Sequence, residues 1–153
     1  MVTHLSLKAR ALKYLAAREH SRLELRRKLA PHVEDGAELD RLLDELEARG
    51  LLSAERFVES LVHRRAARFG TARIRQELSS KGIAPLQMSD TLAQLQTTEL
   101  ARAREVWRKR FDQSAGDAKQ HARQVRFLMA RGFSADIVRQ VLREAGAPED
   151  DNA

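Results

Sequence analysis

Apolar positions recur along almost the whole chain at the three-to-four-residue spacing of amphipathic helices, and nowhere with the alternation of a strand. The spacing predicts a first helix from Ser6 to Glu19 with Leu12, Leu15 and Ala16 on its inner face. Ser21, with Glu24 three residues later, has the pattern of a reciprocal cap, so a second helix starts there and ends near Pro31. A third, Ala37 to Arg49, turns Leu39, Leu42, Leu43 and Leu46 inward and is stopped by Gly50. Ser53 caps a fourth, whose face Phe57, Val58, Leu61, Val62, Ala66 and Phe69 runs up to Gly70. Thr71 caps a fifth, which stops at Gly82, and Pro85 opens a sixth with Met88, Leu92 and Leu95 inside. The seventh runs from Thr98 to Phe111 with Leu100, Ala103, Trp107 and Phe111 aligned. Asp117 starts an eighth with Ala118, Ala122, Val125, Leu128 and Met129 inside, and Ser134 caps a ninth that buries Ile137, Val138, Val141 and Leu142.

Three of these helices share a basic stretch closed by a leucine, and Leu29, Leu78 and Leu128 lie 49 and 50 residues apart. A fixed period of that length marks stacked helical units, each too small to bury its apolar face alone. Short helices are marginal in isolation, so the units must lean on their neighbours. The expected organisation is all-α, with one three-helix unit over 1–52, a second over 53–97, a third over 98–146 and an acidic tail over 147–153.

Composition narrows the function. The 153 residues include only 7 glycines and 3 prolines, fewer than the βα turns of an α/β enzyme need. Cysteine is absent, which removes disulfides, thiolate nucleophiles and cysteine-held metals. No apolar run has the length of a signal segment or a membrane span, so a cytoplasmic home is expected. The net charge is +6, and the middle unit is the most unbalanced, with seven Lys and Arg against four Asp and Glu. Such a surface suits a nucleic acid or an acidic protein equally well.

The stretch Tyr14 to Leu29, which ends Arg22-Leu23-Glu24-Leu25-Arg26-Arg27-Lys28-Leu29, resembles the first repeat of the RecX family of recombination regulators. Arg56-Phe57-Val58-Glu59-Ser60, Arg64-Arg65, Gly70, Arg73-Ile74-Arg75-Gln76-Glu77-Leu78 and Lys81-Gly82-Ile83 resemble its second. Ala122 to Leu128 with Arg131-Gly132-Phe133 is similar to its third. The resemblance spans Leu7 to Glu144 and implies tandem three-helix repeats in an elongated, curved array. It further implies a protein that binds the RecA recombinase filament and limits its growth, strand exchange, ATP hydrolysis and coprotease activity, without chemistry of its own.

The candidate binding residues are arginines and lysines. In the second repeat Arg64, Arg65, Arg68, Arg73, Arg75 and Lys81 have only Glu77 among them. In the third, Lys119, Arg123 and Arg126 form one stripe opposite the apolar face, and Arg131 follows the end of that helix, where it complements the dipole. In the first, Arg22 and Arg26 share a face. Trp107 invites comparison with base-stacking residues, but its alignment with Leu100, Ala103 and Phe111 assigns it to the core.

No catalytic residue, cofactor or metal is expected. The five histidines are scattered, no Gly-rich phosphate loop occurs, and Asp40, Asp44 and Glu47 read as a solvated acidic face. Direct DNA binding through the basic face is the alternative, since three-helix units superficially resemble helix-turn-helix modules. With every apolar stripe assigned to a core, the chain is expected to be a monomer with no membrane contact. Small-angle scattering should return a monomer whose radius of gyration clearly exceeds the ~15 Å of a compact chain of this length; a radius at that value would remove the elongated array.

Overall fold

The computed structural model describes residues 4–146, so the acidic tail expected at 147–153 lies outside the described residues. Among them are nine α-helices and no strand: α1 (Leu7–Ala17), α2 (Arg22–Leu29), α3 (Gly36–Ala48), α4 (Ala54–Arg65), α5 (Thr71–Ser80), α6 (Pro85–Gln96), α7 (Glu99–Arg110), α8 (Ala118–Ala130) and α9 (Ala135–Gly146). They gather into two compact units. One comprises 4–61 and 78–89, the other 62–77 and 90–146. Leu29, Leu78 and Leu128, which set the repeat period, are all fully buried. After Leu78 and Leu128 the chain turns through Gly82 and Gly132 in the left-handed region. After Leu29 it instead runs into a 3₁₀ turn, Ala30–His32, because Pro31 cannot continue the helix.

In the first unit the core is Ala11, Leu25, Leu29, Leu39, Leu42, Leu43, Leu46 and Leu52, with Leu7, Tyr14, Leu15 and Val33 packed against it. A buried leucine contributes about 1.5–3 kcal/mol relative to exposure. All four inward leucines expected of α3 are buried. The face of α1 is rotated from expectation: Leu7, Ala11, Tyr14 and Leu15 point inward while Leu12 and Ala16 are exposed. Both stripes fit a helix, and the one containing Tyr14 also sets a ring against His20 at 6.0 Å and beneath the Lys28 ammonium at 4.8 Å.

The reciprocal cap of α2 is present, with Ser21 Oγ accepting from the Glu24 N–H and Glu24 Oε1 accepting from the Ser21 N–H, both at 3.1 Å. Glu24 also takes Arg18 at 3.1 Å and Lys81 at 3.5 Å, and these partners hold its carboxyl below the usual range against the opposing effect of burial.

His20 is 1% exposed. Its Nδ1 lies 3.1 Å from the Arg18 carbonyl, which can only accept, and its Nε2 lies 2.8 Å from the Lys28 ammonium, which can only donate. Nδ1 therefore carries the proton and Nε2 the lone pair, so the ring is neutral. Burial pushes its pKa below 6.5, and the nearby Arg18 and Lys28 add to this.

The second unit has its core in Ala103, Val106, Leu128, Phe133, Val138 and Val141. Here the inner face of α8 is Gln124, Val125 and Leu128, whereas Ala118 and Met129 are exposed. Gln124 takes the inner position because it accepts the Trp107 indole N–H at 3.0 Å and donates to the Gln113 carbonyl at 3.3 Å. Trp107 is thus half-buried and packed on the core. The caps expected at Ser53 and Ser134 are in place, and Asp117, expected to start α8, caps it.

Two local expectations at the α4–α5 corner fail for one reason. Helix α4 stops at Arg65 rather than running to Gly70, and Thr71 does not cap α5. The Arg102 guanidinium takes the freed carbonyls of Ala66 and Phe69 at 2.9 and 2.6 Å. The buried Glu99 carboxylate accepts the Thr71 N–H at 3.1 Å, as a side-chain cap supplied from α7.

The neutral His20 makes stability depend on pH. A histidine whose folded pKa is depressed contributes fully above its unfolded value of 6.5 and loses that contribution as pH falls below it. The thermal midpoint should therefore drop as pH falls below about 6.5, with a further drop below about 4.5 as Glu24 protonates. In His20→Gln, which keeps an acceptor and a donor, the first drop should disappear while the second stays. Equal pH profiles for the two proteins would contradict a buried neutral imidazole.

Candidate functional site

The candidate residues separate by what holds them. In the first unit Arg22 pairs with Asp44 at 2.7 Å and Glu47 at 3.3 Å, and Arg26 pairs with Asp40. The acids of α3 at i, i+4 and i+7 thus face the cations of α2 at i and i+4. Stripe meets stripe, which explains the acidic face without any site chemistry. Pairs this exposed contribute about 0–1 kcal/mol each. Lys81 lies in the same unit with Glu24 as its partner.

In the second unit Arg65 clasps Glu77 through two hydrogen bonds of 3.2 Å. Arg64 and Arg75 are exposed, as is the stripe Lys119, Arg123 and Arg126 on α8. Arg68 and Arg73 are brought together over one ring, with guanidinium carbons 5.6 and 4.2 Å from the Phe69 centroid. Arg73 also donates to the Ala130 carbonyl at 3.1 Å, so it is a structural contact as well as a surface cation.

Arg131 reaches the same ring and was legible only as a helix-end charge. Its guanidinium lies 5.3 Å from the Phe69 centroid and 5.1 Å from that of Phe127. Arg110 continues the series, 5.8 Å from Phe127 and 5.4 Å from Phe111, whose ring meets Phe127 edge-on at 5.3 Å. The result is a ladder of guanidinium groups and phenyl rings: Arg73, Phe69, Arg131, Phe127, Arg110 and Phe111. Each rung contributes about 0.5–2 kcal/mol, according to how far it is desolvated.

Two glycines make the ladder possible. The Gly70 N–H donates to the Arg131 carbonyl at 2.7 Å, bringing the α4–α5 corner onto the α8–α9 corner backbone to backbone. A Cβ on Gly70 would stand 2.3 Å from the Gly132 carbonyl carbon, and one on Gly132 would stand 2.4 Å from the Arg73 Cβ. Gly132 also has φ +89°, which side chains disfavour. Only two residues without side chains allow Arg73 and Arg131 to share Phe69.

Among the described residues no three His, Cys, Asp or Glu side chains gather as they would around a metal ion. Among them, too, no helix is long and apolar enough to cross a membrane.

The family model described as "RecX, second three-helix domain" matches residues 55–92, and "RecX, third three-helix domain" matches 97–142. A regulatory protein RecX of Leptothrix cholodnii is 66% identical over 146 residues, covering 95% of this chain and 93% of that one. The chain belongs to the RecX family. A further member, from Ralstonia pickettii, is 54% identical over 145 residues, covering 95% of this chain and 90% of its own. The fold recurs in the crystal structure of RecX from Lactobacillus salivarius, at a TM-score of 0.74 and 23% identity over 91% of this chain and 94% of that one. It recurs again in a crystal structure of regulatory protein RecX at a TM-score of 0.78 and 20% identity, over 88% of this chain and 70% of that one. RecX members are named as regulatory proteins, which agrees with the regulatory reading of the sequence.

The glycine corner yields a direct test. Gly132→Ala combines backbone strain with overlap against Arg73 and should cost about 2–4 kcal/mol in denaturant unfolding. Gly50→Ala has a similar left-handed backbone, φ +71°, with nothing within 4 Å of the added methyl, and should cost only about 1–2 kcal/mol. Equal losses would mean that the close approach of Gly132 to Arg73 adds nothing.

Proposed function

We propose that this protein binds the RecA recombinase filament and restrains it, limiting filament growth and with it strand exchange, ATP hydrolysis and the coprotease activity that triggers the SOS response. The observation that carries the reading is family membership across almost the full chain, at 66% identity to a regulatory protein RecX. It acts in the cytoplasm as a monomer, by occupancy and without catalysis, metal or nucleotide. The chain is organised as three repeats, 1–52, 53–97 and 98–146, with 147–153 as a tail.

The proposed contact residues are led by exposed cations that form no ion pair with a carboxylate among the described residues. Arg68, Arg73, Arg75, Lys119, Arg123 and Arg126 lead, and all belong to the second unit. Arg22, Arg26, Arg65 and Lys81 are engaged with carboxylates and would have to give up a partner to join them, while Arg64 adds positive charge at the surface. The exposed stripe on α8 favours direct DNA contact as a second, salt-sensitive mode.

RecA ATPase on single-stranded DNA, measured with and without the protein, tests both readings. Inhibition at or below equimolar ratio is expected, and its absence overturns filament regulation. Arg123→Glu with Arg126→Glu should leave melting nearly unchanged, because exposed charges contribute little to stability. If the stripe is a filament contact, inhibition weakens by about tenfold or more, roughly 1.4 kcal/mol. If inhibition persists while affinity for bare DNA falls, the stripe serves DNA alone.

A further inference from the structure

Beside the guanidinium–phenyl ladder the second unit has a groove of about 310 Å³. Its apolar wall is Ala67, Val106 and Phe127, and its rim carries Arg68, Lys109, Arg110 and Arg131. No carboxylate lines it. Among the described residues, none of these four cations has an ion-pair partner, whereas Arg18, Arg22, Arg26, Arg49, Arg56, Arg65, Arg104, Arg108 and Arg139 all do. Arg73, Arg75, Lys119, Arg123 and Arg126 form no ion pair among the described residues either, but Arg68, Lys109, Arg110 and Arg131 are the four that line this apolar hollow, and most of their charge is held in place. Arg131 lies against two rings, Arg110 against two and Arg68 against one.

We propose that this groove docks an acidic peptide segment that carries an aliphatic or aromatic side chain between its carboxylates. The hollow has room for one or two such side chains, and the four cations complement the flanking acids. A single nucleic-acid strand would use the cations too, but it gains affinity by stacking bases on open ring faces. Those faces are crowded: three guanidinium groups surround Phe69, and two guanidinium groups with the edge contact to Phe111 surround Phe127. Pre-positioned arginines suit carboxylates, which they bind through planar paired hydrogen bonds. If the protein restrains a recombinase filament, this groove is where an acidic segment of a protein partner seats. The groove stands on its own chemistry whether or not that partner is RecA.

Fluorescence anisotropy of the full chain tests it without any recombinase. The titrants are a labelled peptide with a Leu-Phe pair between runs of Asp and Glu, the same peptide with Ala-Ala at the centre, and a labelled oligo-dT of equal charge. Saturable binding of the first peptide is expected, weakened at least about fivefold by the alanine centre, roughly 1 kcal/mol. Lys109→Glu, which reverses a rim charge whose side chain forms no ion pair or hydrogen bond among the described residues, should weaken it about tenfold or more. Ala67→Trp, at an exposed turn position, should do the same by filling the hollow, while Lys13→Glu in the first unit should have little effect.

Failure of the peptide to saturate overturns the proposal. So does equal affinity for both peptides, or indifference to the two groove substitutions. Tighter binding of oligo-dT that is lost in Lys109→Glu would make the groove a nucleic-acid site instead. A dimer of the protein alone that dissociates in Ala67→Trp would make a second copy the occupant. Because the recombinase is absent, none of these outcomes bears on filament regulation, and the ATPase assay does not bear on the groove.

Discussion

One backbone contact organises the second unit. The 2.7 Å hydrogen bond from the Gly70 N–H to the Arg131 carbonyl joins two inter-helix corners that lie sixty-odd residues apart in sequence. Neither corner can carry a side chain at that point without overlap. The consequences spread from there. Arg73, in the first turn of α5, packs its Cβ on Gly132 and reaches the Ala130 carbonyl. Phe69, just before the contact, receives Arg73 from one helix and Arg131 from the end of another. The placement of these cations follows from the glycine contact more than from the helices that bear them.

The opposite side of the same corner is fixed by one half-buried arginine. Arg102 donates to Ala66, Phe69 and Leu95 carbonyls and to Thr71 and Thr98 hydroxyls, and burial pulls its pKa down from the usual arginine value. A guanidinium has five donors in a rigid plane, so it can serve all five of these acceptors at once, where an ammonium has only three donors. Glu99 supplies the neighbouring negative charge and caps Thr71. Two residues of α7 thus replace the local signals that would otherwise end one helix and start the next.

What was legible in the sequence divides along the same line. Periodicity and caps depend on residues three or four apart, so the leucine face of α3, the Ser21–Glu24 cap, the glycine stops at Gly50 and Gly82 and the leucine period could all be read directly. The family resemblance was legible too, because it rests on ordered motifs around Gly70, Gly82 and Gly132. The face of α1 was misjudged because two stripes fit one helix, and only Tyr14 with its buried His20 partner decides between them. The early end of α4 and the cap on Thr71 depend on Arg102 and Glu99, about thirty residues away, and no local pattern announces them. The ladder was half-visible: Arg73 and Arg131 were noticed and Phe69 and Phe111 were taken for core, but Arg110 and Phe127 carried no signal, and the alternation exists only in three dimensions.

The same division explains how so basic a chain keeps a defined surface. Arginine is costly to order, about 2 kcal/mol of side-chain entropy each, and loose cations would bind any anion weakly. Here the cost is met during folding, by carboxylates at residues such as Arg22, Arg26 and Arg65 and by rings and carbonyls along the ladder. Those two means of restraint leave different residues behind. A carboxylate neutralises the charge it holds, so Arg22 and Arg26 are fixed but largely cancelled. A phenyl ring holds a guanidinium while leaving its charge unbalanced, so Arg68, Arg110 and Arg131 are restrained and still attract anions. Restraint without neutralisation is what a surface needs in order to bind a charged partner selectively, and it is the rings of Phe69, Phe111 and Phe127 that provide it.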